Sequence, residues 1–478
     1  MEHGNLWSKM LEARAASFHF VRDGVDLYTK VKYAETLTST EHVDRRIFHR
    51  LLSHTSFPVL SRMTAQRNNV AYSSSGNIGN RPRRVFADTN IHCEEAALHT
   101  QKLLNFLRQI GLAQTLDIGQ ADIAFFYACG HLHWLEEDSI RIIKEINRLK
   151  KPSAKLIVWG CLPKINPASI ETVYKGPIVG PEDWDFFLNY FGQPRESLGK
   201  ICANSLNVHC KVVSVRPSPM QKILTPFRFF FYGQHKRTLG GTWYIRVVSG
   251  CRNCCTYCSD RLVYRGVKSI PAEDILEQFD VGLRSGYKHF YLVGRDLGSY
   301  GSDGRLSLAD LLNEINRRFG DKDFKLHLTN VSPNTLIAFY HRIDVSLLSK
   351  KIFEIGSHIQ SGSDRILKLM GKKFSLAAWL GIMKAINDTY PNIRTRTSIM
   401  VGFPSETEED FRETLNMLQR VLFDRIDVYK YQERPNLPSL KLRGPVPESI
   451  KQNRYNQARV HAILNNMKKR LKRLQLSY

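Results

Sequence analysis

Apolar residues from residue 84 onward occur in short runs that alternate with longer segments of helical spacing. The first three apolar runs are RRVFADT, ADIAFFYAC and AKLIVWGC, and they predict buried strands. Between them, the segment from about Glu94 to Ile110 and the segment DSIRIIKEINRLKK repeat apolar residues with the period of a helix. Strands separated by helices predict a parallel α/β sheet.

A second alternating series follows a less regular connection from about 170 to 240. Its strand patterns are TWYIRVVSG, HFYLVG, FKLHLTNV, IFEIGSHI, TRTSIMVGF and RIDVYKY, and its helical patterns include AEDILEQFDVGL, LADLLNEINRRF and EDFRETLNMLQRVL. Six strand-helix repeats predict an open or partial (β/α)6 barrel. In such a barrel the loops at the carboxyl ends of the strands form the active site.

The two ends of the chain have other patterns. Residues 1–80 show mixed helical patterning to which no function can be assigned, and the polar stretch NNVAYSSSGNIGNRPRR predicts a linker or flexible loop. We therefore predict an N-terminal extension (1–80), an α/β domain (84–200), a barrel (240–440) and a C-terminal basic helix (445–478).

The C-terminal segment predicts an amphipathic helix. Its expected docked face consists of Val460, Ile463, Leu464, Met467, Leu471 and Leu474. No acidic residue follows Glu448, whereas basic residues are frequent: Lys451, Arg454, Arg459, Lys468, Lys469, Arg470, Lys472 and Arg473. This helix is expected either to contact a polyanion or to cap the fold.

Charge and hydropathy narrow the class of protein. The 478 residues include 69 Lys and Arg against 45 Asp and Glu, a balance that attracts nucleic acid, other polyanions or acidic peptides, or that serves solubility alone. No apolar run approaches the roughly 18 residues that span a bilayer, and the N-terminus lacks the apolar region of a signal peptide. We predict a cytoplasmic protein without a membrane partner.

The stretch GCRNCCTYCSD places four cysteines within eight positions. Two adjoining C-x2-C pairs do not suit zinc, because zinc ribbons separate their pairs by about 15 to 20 residues. A C-x3-C-x2-C interpretation, through Cys251, Cys255 and Cys258, supplies three thiolates to a [4Fe-4S] cluster and leaves one iron open for another ligand. Cys254 is then a bystander.

These residues carry a family resemblance. The cysteine loop, with Tyr257 before its last cysteine, resembles the signature of radical S-adenosylmethionine (SAM) enzymes. The segments that follow are RG (Arg265, Gly266), YLVGRDLGSYG, HIQSGSDRILKLMGKKF, IMVGFPSETEEDFRETL and YKYQERPNLPSL. In order and spacing they are similar to the methylthiotransferases that modify transfer RNA or a ribosomal protein, over about residues 84 to 440.

The resemblance implies a [4Fe-4S] cluster, SAM, and an external one-electron donor such as a flavodoxin or ferredoxin. In this family the amino and carboxylate groups of SAM bind the open iron, and reduction releases a 5'-deoxyadenosyl radical. Tyr257 is expected at the adenine. Gly294, Arg295 and Asp296 are expected at the methionine part, and the same cavity is expected to be lined by Gln360, Ser361, Gly362, Gly402 and Phe403. For Gly294 and Gly402 the alternative is a role as turn glycines.

The resemblance also implies a second [4Fe-4S] cluster held by one cysteine after each of the first three strands. Cys129 and Cys161 match two of these positions, and carboxyl ends of neighbouring parallel strands share one edge of a sheet. Counted back from Asn90, the first position is Ala87. Cys93 is the candidate replacement, and the alternative is a small buried thiol without a second cluster.

Other departures from the family concern a few residues and the C-terminus. Nothing in the spacing of Cys202 and Cys210 argues for a ligand role. Ser398 stands where the family usually has Asp, and Ser405, Glu406 and Thr407 replace the usual Gly-Glu-Thr. The residues after Leu440 have a helical pattern, so the family's C-terminal β-barrel, which grips RNA or the target protein, is not expected.

Three functions remain open from the sequence. The first is radical SAM sulfur (methylthio) insertion at an unactivated C-H bond of a macromolecule, peptide or metabolite, with RNA or a peptide as candidate partner. The second is radical chemistry of specialised biosynthesis without sulfur transfer. The third is a catalytically inactive scaffold that binds RNA or a protein partner.

Overall fold

The structure is a computed structural model that describes residues 83–89, 93–198, 201–204, 241–304 and 306–476. All of them belong to one compact unit, Gly79–Tyr478. The predictions for residues 1–80, for the linker stretch as far as residue 82, and for Asn90 and Cys210 lie outside the described residues; Arg84, the last residue of that stretch, begins β1.

The first part of the described chain forms a five-stranded parallel sheet in the order β2-β1-β3-β4-β5. Its strands are β1 (Arg84–Thr89), β2 (Ala113–Gln114), β3 (Ile123–Ala128), β4 (Lys155–Gly160) and β5 (Ile178–Val179). Its helices are α1 (Glu94–Gln109), α2 (His133–Leu149), α3 (Leu162–Ile165), α4 (Pro167–Glu171) and α5 (Trp184–Phe191). The central strands are buried on both faces, which explains their continuous apolar runs.

The second part forms a six-stranded parallel sheet. Its strands, with a short antiparallel pair (β7 and β8), are β6 (Thr242–Arg246), β7 (Val248–Ser249), β8 (Lys268–Ser269), β9 (His289–Val293), β10 (Lys325–Leu328), β11 (Ile352–Gly356), β12 (Arg394–Val401) and β13 (Arg425–Lys430). Its helices are α6 (Asp260–Val263), α7 (Ala272–Arg284), α8 (Leu308–Phe319), α9 (Pro333–Phe339), α10 (Asp364–Leu369), α11 (Leu376–Thr389) and α12 (Glu408–Arg420). The strand order is β13-β12-β11-β10-β9-β6.

Strands β6 and β13 are the two edges of this sheet and do not pair, so the barrel is open. The predicted fold class, a parallel α/β sheet followed by a partial (β/α)6 barrel, is confirmed. Edge strands β2 and β5 escaped prediction because two residues carry no periodicity. Helix α2 begins at His133, earlier than its apolar spacing indicated.

Helix α13 (Glu448–Leu476) does not dock as its apolar pattern predicts. The buried residues are Arg454, Ala458, Ala462, Asn465, Asn466 and Lys469. The structure describes the side chains of five of the six residues predicted to dock: Val460, Ile463, Leu464, Met467 and Leu471. The first four are only half-buried, and Leu471 is 57% exposed.

The reason for this difference is hydrogen bonding by polar side chains on the docked face. Asn465 accepts from the Phe423 N–H at 2.7 Å and donates to the Val421 carbonyl at 2.8 Å, while Lys469 Nζ donates to Asn387 Oδ1 at 2.6 Å. Polar groups satisfied in this way can be buried. Lys469, one of the basic residues of this helix, therefore belongs to its docked face.

None of the helices in the described ranges is both long enough and apolar enough to cross a bilayer.

Candidate active site

The cysteine-rich loop begins at a turn that only glycine accommodates. Gly250 has φ +75°, and a Cβ on it would lie 2.0 Å from the Gly266 carbonyl oxygen. The chain then turns away from β7 and enters the segment that carries Cys251, Cys255 and Cys258, hereafter the loop cysteines. Gly250 therefore fixes the direction in which this loop leaves the strand.

Hydrogen bonds of the backbone and of two hydroxyl groups hold the loop against segments that follow β9, β11 and β13. The Thr256 N–H donates to the Met370 carbonyl, and its hydroxyl donates to the Leu369 carbonyl, both at 3.0 Å. The Ser439 N–H donates to the Thr256 carbonyl at 3.0 Å, and the Arg252 N–H donates to Ser299 Oγ at 2.9 Å. The loop cysteines thus lie at the carboxyl ends of the barrel strands, where the (β/α) architecture places active sites.

The loop cysteines are half-buried, whereas Cys254 is exposed. Burial, with the Asp296 carboxylate beside it, raises the pKa of Cys251 to about 11. Burial also raises the pKa of Cys258 well above its ordinary value, and the neighbouring Asp260, Cys255 and Cys251 add to that rise. The thiols are therefore close enough to act on one another, and metal binding would displace their protons.

Asp296 positions the loop rather than facing open space. Its Oδ1 accepts from the backbone N–H groups of Gly298 at 3.1 Å and Ser332 at 3.0 Å. Its Oδ2 accepts from Asn253 Nδ2 at 2.8 Å, and Asn253 in turn donates to Cys251 Sγ from both its backbone N and its Nδ2 at 3.4 Å. The carboxylate thereby sets the position of the first loop cysteine.

Gly294 precedes this carboxylate and is required for packing. A Cβ on Gly294 would lie 2.5 Å from Val248 Cγ1 and 3.1 Å from the Val248 carbonyl oxygen. The carbonyl oxygen of Gly294 accepts a hydrogen bond from Asn330 Nδ2 at 3.1 Å. The structure gives Gly294 and Asp296 these contacts, and their predicted role toward SAM stays a prediction.

Tyr257 and Phe403 come together beside the loop. Their ring centroids are 6.3 Å apart, and Phe403 also lies 5.2 Å from the ring of Tyr431. Gln360 has φ +79° and donates from Nε2 to Ser398 Oγ at 2.9 Å. Its buried Oε1 has no hydrogen-bond partner among the described residues, so it remains available as an acceptor.

Three other predicted cofactor residues contact protein elements. Ser361 Oγ lies 3.2 Å from Thr414 Oγ1 on α12, and the Gly362 N–H donates to the same hydroxyl at 2.9 Å. Gly402 has φ +73°, and its N–H donates to Glu406 Oε2 at 2.7 Å. These contacts give Ser361 and Gly362 a packing role and Gly402 a turn role, and their cofactor role stays a prediction.

A second group of thiols lies at one edge of the five-stranded sheet. Cys129 follows β3 and Cys161 follows β4, and these strands pair in register up to Ala128 opposite Gly160. Cys93 precedes α1, on the connection from β1. We call Cys93, Cys129 and Cys161 the sheet cysteines.

The sheet cysteines share one electrostatic environment. Cys129 and Cys161 are buried and Cys93 is half-buried. Burial raises the pKa of all three thiols, and the neighbouring Cys129 and Cys93 add to the rise at Cys161. Tyr127, fully buried, places its hydroxyl 3.4 Å from Cys161 Sγ. The structure thus brings together the three thiols that the sequence analysis grouped.

An ion pair joins the two cysteine groups. The Arg295 guanidinium Nη2 lies 3.6 Å from Cys161 Sγ, and its Nε lies 3.4 Å from Asp260 Oδ1. Asp260 Oδ2 is 3.6 Å from Cys258 Sγ. The side chain of Arg295 therefore faces the sheet cysteines, a contact that sequence reasoning missed because 134 positions separate it from Cys161.

The chemistry of both donor sets is that of iron-sulfur cluster ligands. In the parts of the chain that the structure describes, no three His, Cys, Asp or Glu side chains are gathered closely enough to hold one metal ion. A [4Fe-4S] cluster spreads its cysteine thiolate ligands over several irons. Three thiols on one loop fit that group, and the sheet cysteines offer the same chemistry.

Comparison with known proteins defines the class. Residues 245–418 match the radical SAM superfamily, and residues 86–179 match the family described as uncharacterized protein family UPF0004. With the open barrel and the three-cysteine loop, the chain is a radical SAM protein. Proteins of this superfamily use a [4Fe-4S] cluster and SAM.

The relatives narrow the class to a family. The chain is 31% identical to the threonylcarbamoyladenosine tRNA methylthiotransferase MtaB of Thermotoga maritima over 341 residues, which is 70% of this chain and 72% of that protein. It is 26% identical to the ribosomal protein uS12 methylthiotransferase RimO of Thermodesulfovibrio yellowstonii, over 80% of this chain and 84% of that protein. The chain belongs to the radical SAM methylthiotransferase family.

Among solved structures, the fold is similar to that of TsrM, a radical SAM methyltransferase from Kitasatospora setae whose structure holds a tryptophan substrate and a SAM analogue. The TM-score is 0.51 at 14% identity, over 75% of each chain. At this identity the similarity concerns the fold alone.

Proposed function

We propose that this protein is a radical SAM enzyme that inserts sulfur, as a methylthio group, at an unactivated C-H bond of an RNA or peptide substrate. The observation that carries the proposal is the meeting of the sheet cysteines at one sheet edge, with Arg295 and Asp260 joining them to the loop cysteines. Sulfur insertion needs a second sulfur-bearing centre, and the grouping of these thiols supports such a centre here.

In this proposal the loop cysteines hold the first cluster. That cluster, reduced by an external donor such as a flavodoxin or ferredoxin, would supply the electron that splits SAM. Asn253, through its two contacts with Cys251, and Thr256, through its bonds to the segment after α10, orient the thiols. The Tyr257 ring and the free Gln360 Oε1 provide an aromatic face and an acceptor for the bound SAM.

The sheet cysteines would hold the second cluster in a nearly dry environment. Cys129 and Cys161 are 3% and 2% exposed, so water has little access to sulfur held there. Overall, a C-H bond breaks and a C-S bond forms. One SAM would be cleaved reductively to methionine and 5'-deoxyadenosine, which takes the hydrogen atom from the substrate. The sulfur would come from sulfide bound at the sheet cysteines and methylated by a second SAM, which leaves as S-adenosylhomocysteine. The electron released when this sulfur joins the substrate carbon radical would return to the iron-sulfur centre.

The excess of basic residues supports a polyanionic or acidic substrate. The named relatives act on transfer RNA and on a ribosomal protein. A macromolecular or peptide substrate is therefore the first to test.

A second candidate is radical chemistry without sulfur transfer. It is favoured by Ala87, which occupies the expected cysteine position within β1 and is buried at 4% exposure. If Cys93 does not replace that ligand, only two sheet thiols remain, and the second cluster lacks a ligand.

The test follows methyl-labelled SAM into product. Anaerobically reconstituted protein, dithionite, sulfide and labelled SAM are incubated with total RNA, ribosomal protein or a small-metabolite fraction. We expect label in RNA or protein as a methylthio group, lost in Cys161→Ala and in a triple loop-cysteine variant. Production of 5'-deoxyadenosine with no label in any fraction would contradict sulfur insertion and support the second candidate.

A further inference from the structure

The Arg295 guanidinium is a largely buried cation beside the sheet cysteines. Its side chain is 14% exposed and packs on Tyr264, with the guanidinium carbon 5.5 Å from the ring centroid and Nε 3.3 Å from the hydroxyl. Its Nη2 reaches Cys161 Sγ at 3.6 Å. The cation thus points at the sheet cysteines from the barrel side.

The charge of this residue complements what a cluster would bring. Thiolates that bind iron are anions, and buried anions are costly unless a cation or hydrogen-bond donors accompany them. The distance of 3.6 Å between Arg295 Nη2 and Cys161 Sγ brings this cation directly to the sheet cysteines.

Asp260 holds the Arg295 guanidinium in an ion pair whose two charges face different cysteine groups. One carboxylate oxygen, Oδ1, lies 3.4 Å from Arg295 Nε and 4.0 Å from His131 Nδ1. The other, Oδ2, lies 3.6 Å from Cys258 Sγ. The negative end of the pair therefore faces the loop cysteines, and the positive end faces the sheet cysteines.

We propose that Arg295 is a positioning residue of the second cluster, which balances the charge of the sheet thiolates and raises the reduction potential of that cluster, and that Asp260 lowers the potential of the first. This inference rests on the proposed function, because it needs a second cluster. A nearby cation stabilises the more negative, reduced state, and a nearby anion does the opposite.

The experiment measures midpoint potentials by EPR-monitored redox titration. The second cluster is isolated in a variant whose loop cysteines are all Ala, and Arg295→Gln, Arg295→Lys and the exposed Arg265→Gln are added one at a time. We expect Arg295→Gln to shift the potential to more negative values, with Arg295→Lys and Arg265→Gln close to the parent. In full-length protein with intact cysteines, Asp260→Asn should shift the potential of the first cluster to more positive values.

The outcomes separate this inference from the proposed function. If the triple loop-cysteine variant with Arg295 intact holds no iron, the protein has no second cluster, and both proposals fail. Full iron with an unchanged potential in Arg295→Gln overturns the inference alone. If Arg295→Gln fails to assemble the cluster, assembly in Arg295→Lys supports a role of the charge, whereas failure in both, with circular dichroism of the parent type, overturns it.

Discussion

The loop cysteines lie within eight residues of one segment, whereas the sheet cysteines leave three separate elements of the five-stranded sheet. The first group is placed by local geometry, by Gly250 and by the hydrogen bonds of Thr256. The second group comes together only when β1, β3 and β4 are assembled into the first sheet, and Arg295 reaches it only when the barrel lies against that sheet. One centre is thus encoded locally and the other by tertiary structure.

This difference teaches that the two centres should fail in different ways. A substitution in the loop should remove one centre and leave the fold intact. A substitution that loosens the contact between the two sheets should reduce the second centre first. Four predictions, from the largest expected effect to the smallest, test this.

Removing the loop cysteines should have the largest effect. The variant Cys251→Ala, Cys255→Ala, Cys258→Ala should lower reductive SAM cleavage to the level of protein-free controls, because no thiolates remain to hold the first cluster. Production of 5'-deoxyadenosine, measured by mass spectrometry, checks this. Cys254→Ala, an exposed neighbour in the same loop, is the matched control and should retain cleavage. Equal loss in the control would contradict the assignment.

Removing one sheet cysteine should separate the two activities. Cys93→Ala or Cys161→Ala should retain 5'-deoxyadenosine formation and abolish methylthio transfer, because the first cluster stays intact while the second loses a ligand. Both products are measured in one reaction. Cys202→Ala, at an exposed position, should retain both. Sulfur transfer that survives Cys93→Ala would exclude Cys93 as the third ligand.

Breaking the ion pair that joins α2 to the segment after β13 should weaken the second centre by loosening the contact between the two parts of the chain. Arg434 Nη1 donates to Glu136 Oε2, and both side chains are nearly buried. Removal of one partner leaves an uncompensated charge, which costs about 3 to 5 kcal/mol. Glu136→Ala should lower the free energy of unfolding by that amount, measured by urea denaturation, and should reduce iron at the sheet cysteines more than at the loop. The exposed Glu137→Ala should change neither.

The docked face of α13 should affect stability with little effect on either centre. Burial lowers the pKa of Lys469 to about 8, against about 10.4 for an ordinary lysine. Between these values the unfolded chain binds more protons than the folded chain, so unfolding free energy rises with pH. Wild type should therefore gain stability relative to Lys469→Met between pH of about 8 and about 10.4, as measured by urea denaturation. The difference in unfolding free energy between wild type and the exposed Lys468→Met should not change with pH over this range. A pH-independent difference for Lys469→Met as well would contradict the burial of that lysine.

Much of this arrangement could be predicted from the sequence because it depends on local patterns. The longer strands of both sheets coincide with apolar runs, and the grouping of the loop cysteines follows from their spacing in the sequence. The proximity of Cys129 and Cys161 was predicted because the carboxyl ends of neighbouring parallel strands lie at the same edge of a sheet.

Other features could not be predicted because they depend on distant contacts. The Arg295 guanidinium meets Cys161 only after the barrel packs on the first sheet. The docked face of α13 was predicted wrongly because periodicity registers apolar residues, whereas Asn465 and Lys469 are buried through hydrogen bonds.

The most direct test of the central claim is the iron and acid-labile sulfide content per chain, with Mössbauer spectra, of anaerobically reconstituted wild type and of the triple loop-cysteine variant. Two [4Fe-4S] clusters predict about eight irons in wild type and about four in the variant. About four irons in wild type and none in the variant would show that the sheet cysteines hold no cluster, and would contradict sulfur insertion by this protein.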